Sequence, residues 1–303
     1  MPDLPADPRT RRRSGVPFAA LGAMAIWGGS FVAVDMALDS LQPFTLVATR
    51  SVLGGALLSA VLIGRGGPFL PARGDRGRSV VLGLLLGAHI SLQAVGMTYT
   101  SASHSGWIVA FTPVAIAIGA QVFLRERLER SGWLGVALGV AGVACVTLDA
   151  PHALDEARLG DLLQFVSCFT WASYTLTSVE AVRRSGALAV TALALWASAI
   201  FTLPIAVFEV LTHAPLDRSA AISVVSALLY LGILASGVAT SLWARAQERY
   251  GPQRSAVVLY LQPFVTLVFA RALRGDSIGS AALLGGVLVL FGVGLVARAR
   301  PNR

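Results

Sequence analysis

The sequence predicts an all-α integral membrane protein: ten transmembrane helices in two inverted five-helix repeats. Three observations predict it. The composition suits a chain solvated by lipid, at 55% hydrophobic and 13% charged residues with mean hydropathy +0.70; a soluble domain carries about 25% charged residues. Ten apolar stretches approach the length of about 20 residues that crosses a bilayer. They run at about 17–36, 44–64, 79–99, 105–124, 131–149, 159–179, 187–210, 219–242, 254–272 and 277–297. Finally, the chain resembles itself at a fixed offset. Thr112-Pro113 meets Gln262-Pro263, Glu126 meets Asp276 and Gly142 meets Gly292, each 150 residues apart; Ile26-Trp27-Gly28 meets Thr170-Trp171-Ala172 at an offset of 144. Two membrane-embedded halves of one design are typical of transporters that bind at the repeat interface.

The first 16 residues are polar and rich in Pro and Arg, and read as a disordered cytoplasmic arm. The apolar run after them is too long for a signal-peptide core and reads as a retained helix. Residues 17–149 form the first repeat, 150–158 an external linker, 159–297 the second repeat and 298–303 a cytoplasmic tail. All 24 basic residues are arginine. On one side the loops hold only Arg158, Arg218, Arg271 and Arg274. Arg50 lies within a helix, and every other arginine falls on the opposite side. That asymmetry sets the orientation, with both termini in the cytoplasm. It also explains the net charge of +8 without nucleic acid. Five helices per half then make the halves inverted.

Taken in order, the helices offer these candidates. Trp27 lies near mid-span of the first helix and Trp171 near mid-span of the sixth. That depth argues for a cavity wall or core rather than the interfacial belt that tryptophan favours. Arg50 lies about two turns into the second helix, where a guanidinium needs partners or a path to water. His89 and Gln93 stand one turn apart on the third helix, and His89 is the only titratable group of neutral-pH range at mid-span. Trp107, on the fourth helix, suits either belt or cavity, and Tyr260 stands on the matching face of the ninth. Pro113 and Pro263 predict kinks in the fourth and ninth helices. On the sixth helix, Gln164, Ser167, Cys168, Trp171, Tyr174, Thr175 and Ser178 share one stripe at helical spacing. Such a stripe lines a lumen or packs small polar groups between helices. Gly83, Gly87, Gly135, Gly139, Gly142, Gly285, Gly286, Gly292 and Gly294 predict close helix crossings.

The run Ala25-Ile26-Trp27-Gly28-Gly29-Ser30-Phe31 resembles the opening of the EamA-type transporters of the drug/metabolite transporter superfamily. So do Pro43-Phe44-Thr45-Leu46 with Thr49-Arg50, and Thr112-Pro113 followed by Arg125-Glu126-Arg127 and Gly132. The likeness extends over about 17–297. The second half departs from it, with Ala172-Ser173 where the first has Gly28-Gly29 and no counterpart of Arg50. The resemblance implies ten helices, a central cavity, and export of small metabolites, often amino acids. It also places an arginine at Arg50 across many substrates, which argues for a scaffold or gate there, as for Pro113 and Pro263.

The expected partners are a small-molecule substrate and the lipid bilayer of a bacterial-type cell (inner) membrane. Nucleic acid is not expected, and a homo-oligomer is left open. Trp27, His89, Gln93, Trp107, Gln164, Trp171, Thr175 and Tyr260 are the candidate substrate-binding residues. An aromatic cavity with amides and hydroxyls suits a neutral or zwitterionic solute. No cofactor or metal is expected, since Cys145 and Cys168 sit in separate spans and form no metal motif. A membrane enzyme would need a catalytic cluster, and the sequence carries no His-Glu-x-x-His, nucleophile elbow or paired mid-span acids. A membrane sensor would usually carry a large soluble domain, and no loop is long enough for one.

Overall fold

The computed structural model describes residues 18–124, 130–148, 154–213, 220–250, 255–275 and 279–298. These residues form helices and no strands. Up to Leu148 the elements are α1 (Phe18–Leu38), α2 (Pro43–Gly64), α3 (Arg73–Met97), α4 (Ala102–Val109), α5 (Thr112–Leu124) and α6 (Arg130–Leu148). The remainder comprises α7 (Leu154–Ser185), α8 (Ala187–Thr212) and α9 (Ala221–Leu229), then a π-helical stretch Tyr230–Ala239 and α10 (Thr240–Tyr250). A 3₁₀ turn (Val257–Leu261), α11 (Gln262–Arg274) and α12 (Ser280–Arg298) close the chain. The N-terminal arm, the first residues of the linker and the end of the tail lie outside the described residues.

Among the described residues six stretches are long and apolar enough to cross a membrane: Phe18–Leu38, Pro43–Gly64, Arg73–Met97, Ala102–Gly119, Ala187–Thr212 and Ala221–Tyr250. Arg130–Cys145 and Leu283–Gly292 are shorter apolar helices. The polar stripe on α7 keeps its mean hydropathy below that class, yet Gln164, Ser167, Thr175 and Ser178 are fully buried in the bundle. Two helices start earlier than the apolar pattern indicated. α3 begins at Arg73, where Asp75 in the first turn suits the positive end of the helix. Asp75 is buried and accepts a 2.8 Å bond from Ser185 Oγ. α7 begins at Leu154, within the segment read as linker.

At Pro113 and Pro263, where the sequence predicts kinks, the α-helical hydrogen bonding is interrupted, by a two-residue turn before Pro113 and a 3₁₀ turn before Pro263. α4 ends at Val109 and α5 starts at Thr112, with Pro113 its second residue. Proline has no N–H and its ring crowds the carbonyl four residues back, here Val109. Before the break, Ala110 and Phe111 N–H turn to the carbonyls of Trp107 and Ile108. Pro263 is likewise second in α11, behind the 3₁₀ turn that contains Leu259.

Helix packing is paired between the halves. α6 packs most extensively on α12, and α2 packs along α8. α3 lies on α7 while the α9–α10 segment lies on α1; α4 and α5 meet α7 while α11 meets α1. Glycine sets the closest approaches. A Cβ on Gly142 would lie 2.5 Å from the Gly285 carbonyl and 2.7 Å from Val289 N. A Cβ on Gly292 would collide with the Gly135 carbonyl and lie 2.8 Å from Gly139 N. The partners of one crossing are the 150-residue counterparts of the other. Gly83 and Gly87 admit α8 at Ala194, Ala197 and Ser198 in the same way. Gly294 is the exception, with nothing near it.

α2 begins with Pro43 and lacks a side-chain cap of its own. Glu209 of α8 supplies one. Its carboxylate accepts from Phe44 N at 3.1 Å, Thr45 N at 2.7 Å and Thr45 Oγ1 at 2.8 Å. An anion at a helix N-terminus satisfies orphan donors and opposes the helix dipole.

Candidate functional site

α1 approaches its neighbours through two glycines. A Cβ on Gly28 would overlap Val265 of α11, and one on Gly29 would sit 2.6 Å from the Tyr230 hydroxyl. Tyr230 and Thr266 hydroxyls donate to the Ile26 and Gly28 carbonyls at 2.6 and 2.9 Å. The Trp27 indole N–H donates to the Ala235 carbonyl at 3.0 Å. Trp27 is thereby fixed between α1 and the π-helical stretch. π segments recur at functional sites, and this one presents Ala235, Ser236 and, just beyond it, Thr240 to the same space as Trp27.

That space is a cavity of about 60 Å³, room for a few waters. Trp27, Ser30, Arg50, His89, Gln93, Thr112, Trp171, Ser236, Thr240 and Gln262 line it, with apolar residues between them. The two helix breaks open onto it as a pair: Val109 and Thr112 from one, Leu259 and Gln262 from the other. Its α3 wall runs from Leu86 to Met97, so the cavity lies toward the end of the bundle that holds Leu38, Pro43 and Met97.

Trp171 anchors one wall. Its ring lies edge-on to Trp27 at 5.0 Å, stacks on Tyr174 at 5.1 Å and meets His89 at 4.9 Å. Trp243, fully buried, backs both tryptophans at 5.7 and 6.2 Å. The His89 Nδ1–H donates to the Ser167 carbonyl at 2.9 Å. A carbonyl can only accept, so neutral His89 carries its proton on Nδ1 and keeps Nε2 as an acceptor. Arg50 is 6% exposed, and its Nε donates to Ser236 Oγ at 3.0 Å.

Of the residues singled out in the sequence, Trp27, Arg50, His89, Gln93 and Trp171 line the cavity. Trp107, Gln164 and Thr175 do not. Trp107 is buried edge-on to Phe264, against Gly286 of α12, and fills a helix crossing. Gln164 donates through Nε2 to the Gln93 carbonyl at 2.9 Å and ties α7 to α3. Thr175 is fully buried one turn past Trp171. The Tyr260 side chain lies outside the described residues. Sequence reasoning missed Trp243, Ser236, Thr240 and Gln262. Gln262 had a signal, being the counterpart of Thr112.

An ion cluster closes α1 to α11 at the cavity's end of the bundle. Arg274 Nε meets Asp35 at 2.6 Å, and its Nη groups meet Asp39 at 2.8 and 3.1 Å. The hydrogen bonds that Arg274 donates to Asp39, and then the charge of Asp35, hold the guanidinium above its ordinary pKa. A raised pKa means its contribution is complete at every pH below the unfolded value and is lost only in strong alkali. Salt is the effective variable, because the partners are partly exposed. Arg274→Gln is expected to lower stability by at most about 1 kcal/mol. The difference from wild type in thermal unfolding should shrink between low and molar NaCl; a salt-independent difference would count against the cluster. At the opposite end, Arg183 and Arg184 pull Glu180 down to about 2.

Comparison with known proteins adds to this geometry. The sequence profile of the EamA-like transporter family matches residues 14–148 and again 158–298. An uncharacterized transporter of Archaeoglobus fulgidus is 28% identical, over 89% of this chain and 93% of its own. A probable terminal-alkyne amino-acid exporter of Streptantibioticus cattleyicolor is 27% identical, over 94% of both chains. A probable amino-acid metabolite efflux pump of Escherichia coli is 27% identical, over 93% of this chain and 94% of its own. One crystal structure superposes with a TM-score of 0.67 at 19% identity, over 92% of this chain and 94% of that one, and so shares the fold.

Proposed function

Because the chain belongs to the EamA-like transporter family, we propose that it exports amino acids or related neutral and zwitterionic solutes by alternating access through the cavity between α1, α3, α7 and the π-helical stretch. It is a membrane transporter with a small-molecule substrate. Two relatives named for amino-acid export support the solute class. The observation that carries the reading is the cavity wall itself. Trp27 and Trp171, in register between the halves, meet at 5.0 Å, beside the paired helix breaks at Pro113 and Pro263.

The reading includes ten spans in two inverted repeats and cytoplasmic termini in a bacterial-type inner membrane. The reciprocal glycine crossings of α6 and α12 support the repeats, and the arginine asymmetry supports the orientation. On that orientation the cavity faces outward. Cysteine at Gly74 is expected to label only from the cytoplasmic side and cysteine at Thr98 only from outside; both residues are exposed. Labelling from one common side would overturn the topology. The function is tested with purified protein in liposomes loaded with labelled amino acids. Efflux faster than from protein-free liposomes, saturable and competed by unlabelled solute, is the expected result. No protein-dependent flux of any amino acid would reject the substrate class.

A further inference from the structure

We infer that Arg50 is the carboxylate anchor of the cavity, so that a carboxylate is the obligatory part of the transported solute and an amino group is dispensable. This rests on the transport reading of the same cavity and refines it: solutes without a carboxylate drop out, and carboxylates without an amino group come in. The neighbourhood of Arg50 carries the inference. It stands in the half of α2 nearer Pro43, 6% exposed, and lines the cavity together with Trp27, His89 and Trp171. Its Nε is occupied by Ser236. Among the described residues its Nη groups have no hydrogen bond and no ion pair, and no Asp or Glu lines the cavity. Among the described residues Arg50 is thus the one permanently charged side chain there.

A guanidinium inside a bundle is costly without a counter-charge. Arg183, Arg184 and Arg274 each meet a carboxylate; among the described residues Arg50 meets none and is left to a ligand. Its presentation suits one. Gly54 and Gly232 let the π-helical stretch lie directly on α2: a Cβ added at Gly54 would lie 2.9 Å from the Gly232 carbonyl. That contact brings Ser236 onto Nε and fixes the plane of the group. The remaining Nη donors form the fork that matches a carboxylate, and a donor already in place loses little freedom on binding. The rest of the cavity offers indole faces, His89 Nε2 and hydroxyls. These tolerate an ammonium or an apolar carbon but supply no negative charge to demand one.

The test compares four ligands that share the isobutyl side chain of leucine: L-leucine, L-leucinamide, 3-methylbutylamine and 4-methylpentanoate. Apparent affinity is read from ligand-dependent thermal stabilisation of the purified full chain. Both acids should bind at least about tenfold more tightly than the amide and the amine, the worth of one charge-assisted hydrogen bond. Arg50→Gln should erase that preference. Arg50→Lys keeps the charge without the fork, and should weaken the acids several-fold while leaving the amide unchanged; it decides the matter if the Gln variant does not fold. The inference is overturned if amide and acid bind alike to the wild type, if neither acid binds, or if Arg50→Lys weakens all ligands equally. Failure of the transport reading looks different: leucine would bind with the acid preference yet show no flux in liposomes. Binding of 4-methylpentanoate without leucine would keep the anchor and reject amino acids as the solute.

Discussion

Gly142→Leu or Gly292→Leu is expected to destabilise the protein by about 3 kcal/mol, the upper part of the usual range for overpacking. Each glycine faces backbone of the opposite helix rather than a flexible side chain. Any side chain at Gly142 meets the Gly285 carbonyl and Val289 N, and one at Gly292 meets the Gly135 carbonyl and Gly139 N. Backbone cannot rotate aside, so α6 and α12 must separate along their shared length. In a bilayer, close approach of this kind is itself a main source of helix association. The two substitutions disturb one interface, so their effects should not add. Unfolding midpoints in detergent provide the measurement. Gly294→Ala serves as the control, since nothing lies near Gly294. Wild-type midpoints for both leucine variants would refute the close crossing.

Trp171→Ala should lower transport by at least about tenfold, the effect of roughly 1.4 kcal/mol at the site, and lower stability by about 3–5 kcal/mol. The indole is the common neighbour of Trp27, His89, Tyr174 and Trp243. Its removal opens a void between the cavity and the buried aromatics behind it. Trp171→Phe returns a ring to the wall and should recover most of the stability but only part of the transport. Trp27→Ala should behave alike, with the added loss of the bond to the Ala235 carbonyl. Folded Trp171→Ala and Trp27→Ala variants with normal flux kinetics would reassign both residues to packing.

Much of this was legible from the chain. Hydropathy located the helices because lipid enforces long apolar runs, and the offset of 150 found both proline breaks and both crossing glycines. Trp27 and Trp171, read at mid-span of their helices, both line the cavity. The α7 stripe was harder. Helical spacing tells which residues share a face but not which part of that face meets a cavity. Trp171 does; Gln164 is occupied by α3 backbone and Thr175 is sealed within the bundle. Small polar side chains between helices and polar side chains on a lumen look the same in sequence. Ser236, Thr240 and Trp243 escaped for a different reason. They follow or lie within a ten-residue π segment, where i→i+5 bonding widens each turn and faces counted at the α period slip. Arg50 was visible, but its lack of an acidic partner was not.

The two glycine crossings between α6 and α12 are images of each other under the proposed two-fold, which exchanges the sides of the membrane. Contacts on that axis then have equal energy whether the protein opens outward or inward. A free-energy term that is equal in two states cannot shift the balance between them. Matched changes at Gly142 and Gly292 together should therefore alter how firmly the fulcrum holds without tilting it. The tilt must come from features that one half has and the other lacks. Arg50 is one, since Ala194 stands 144 residues on; the Arg274 cluster with Asp35 and Asp39, at a single end of the bundle, is another.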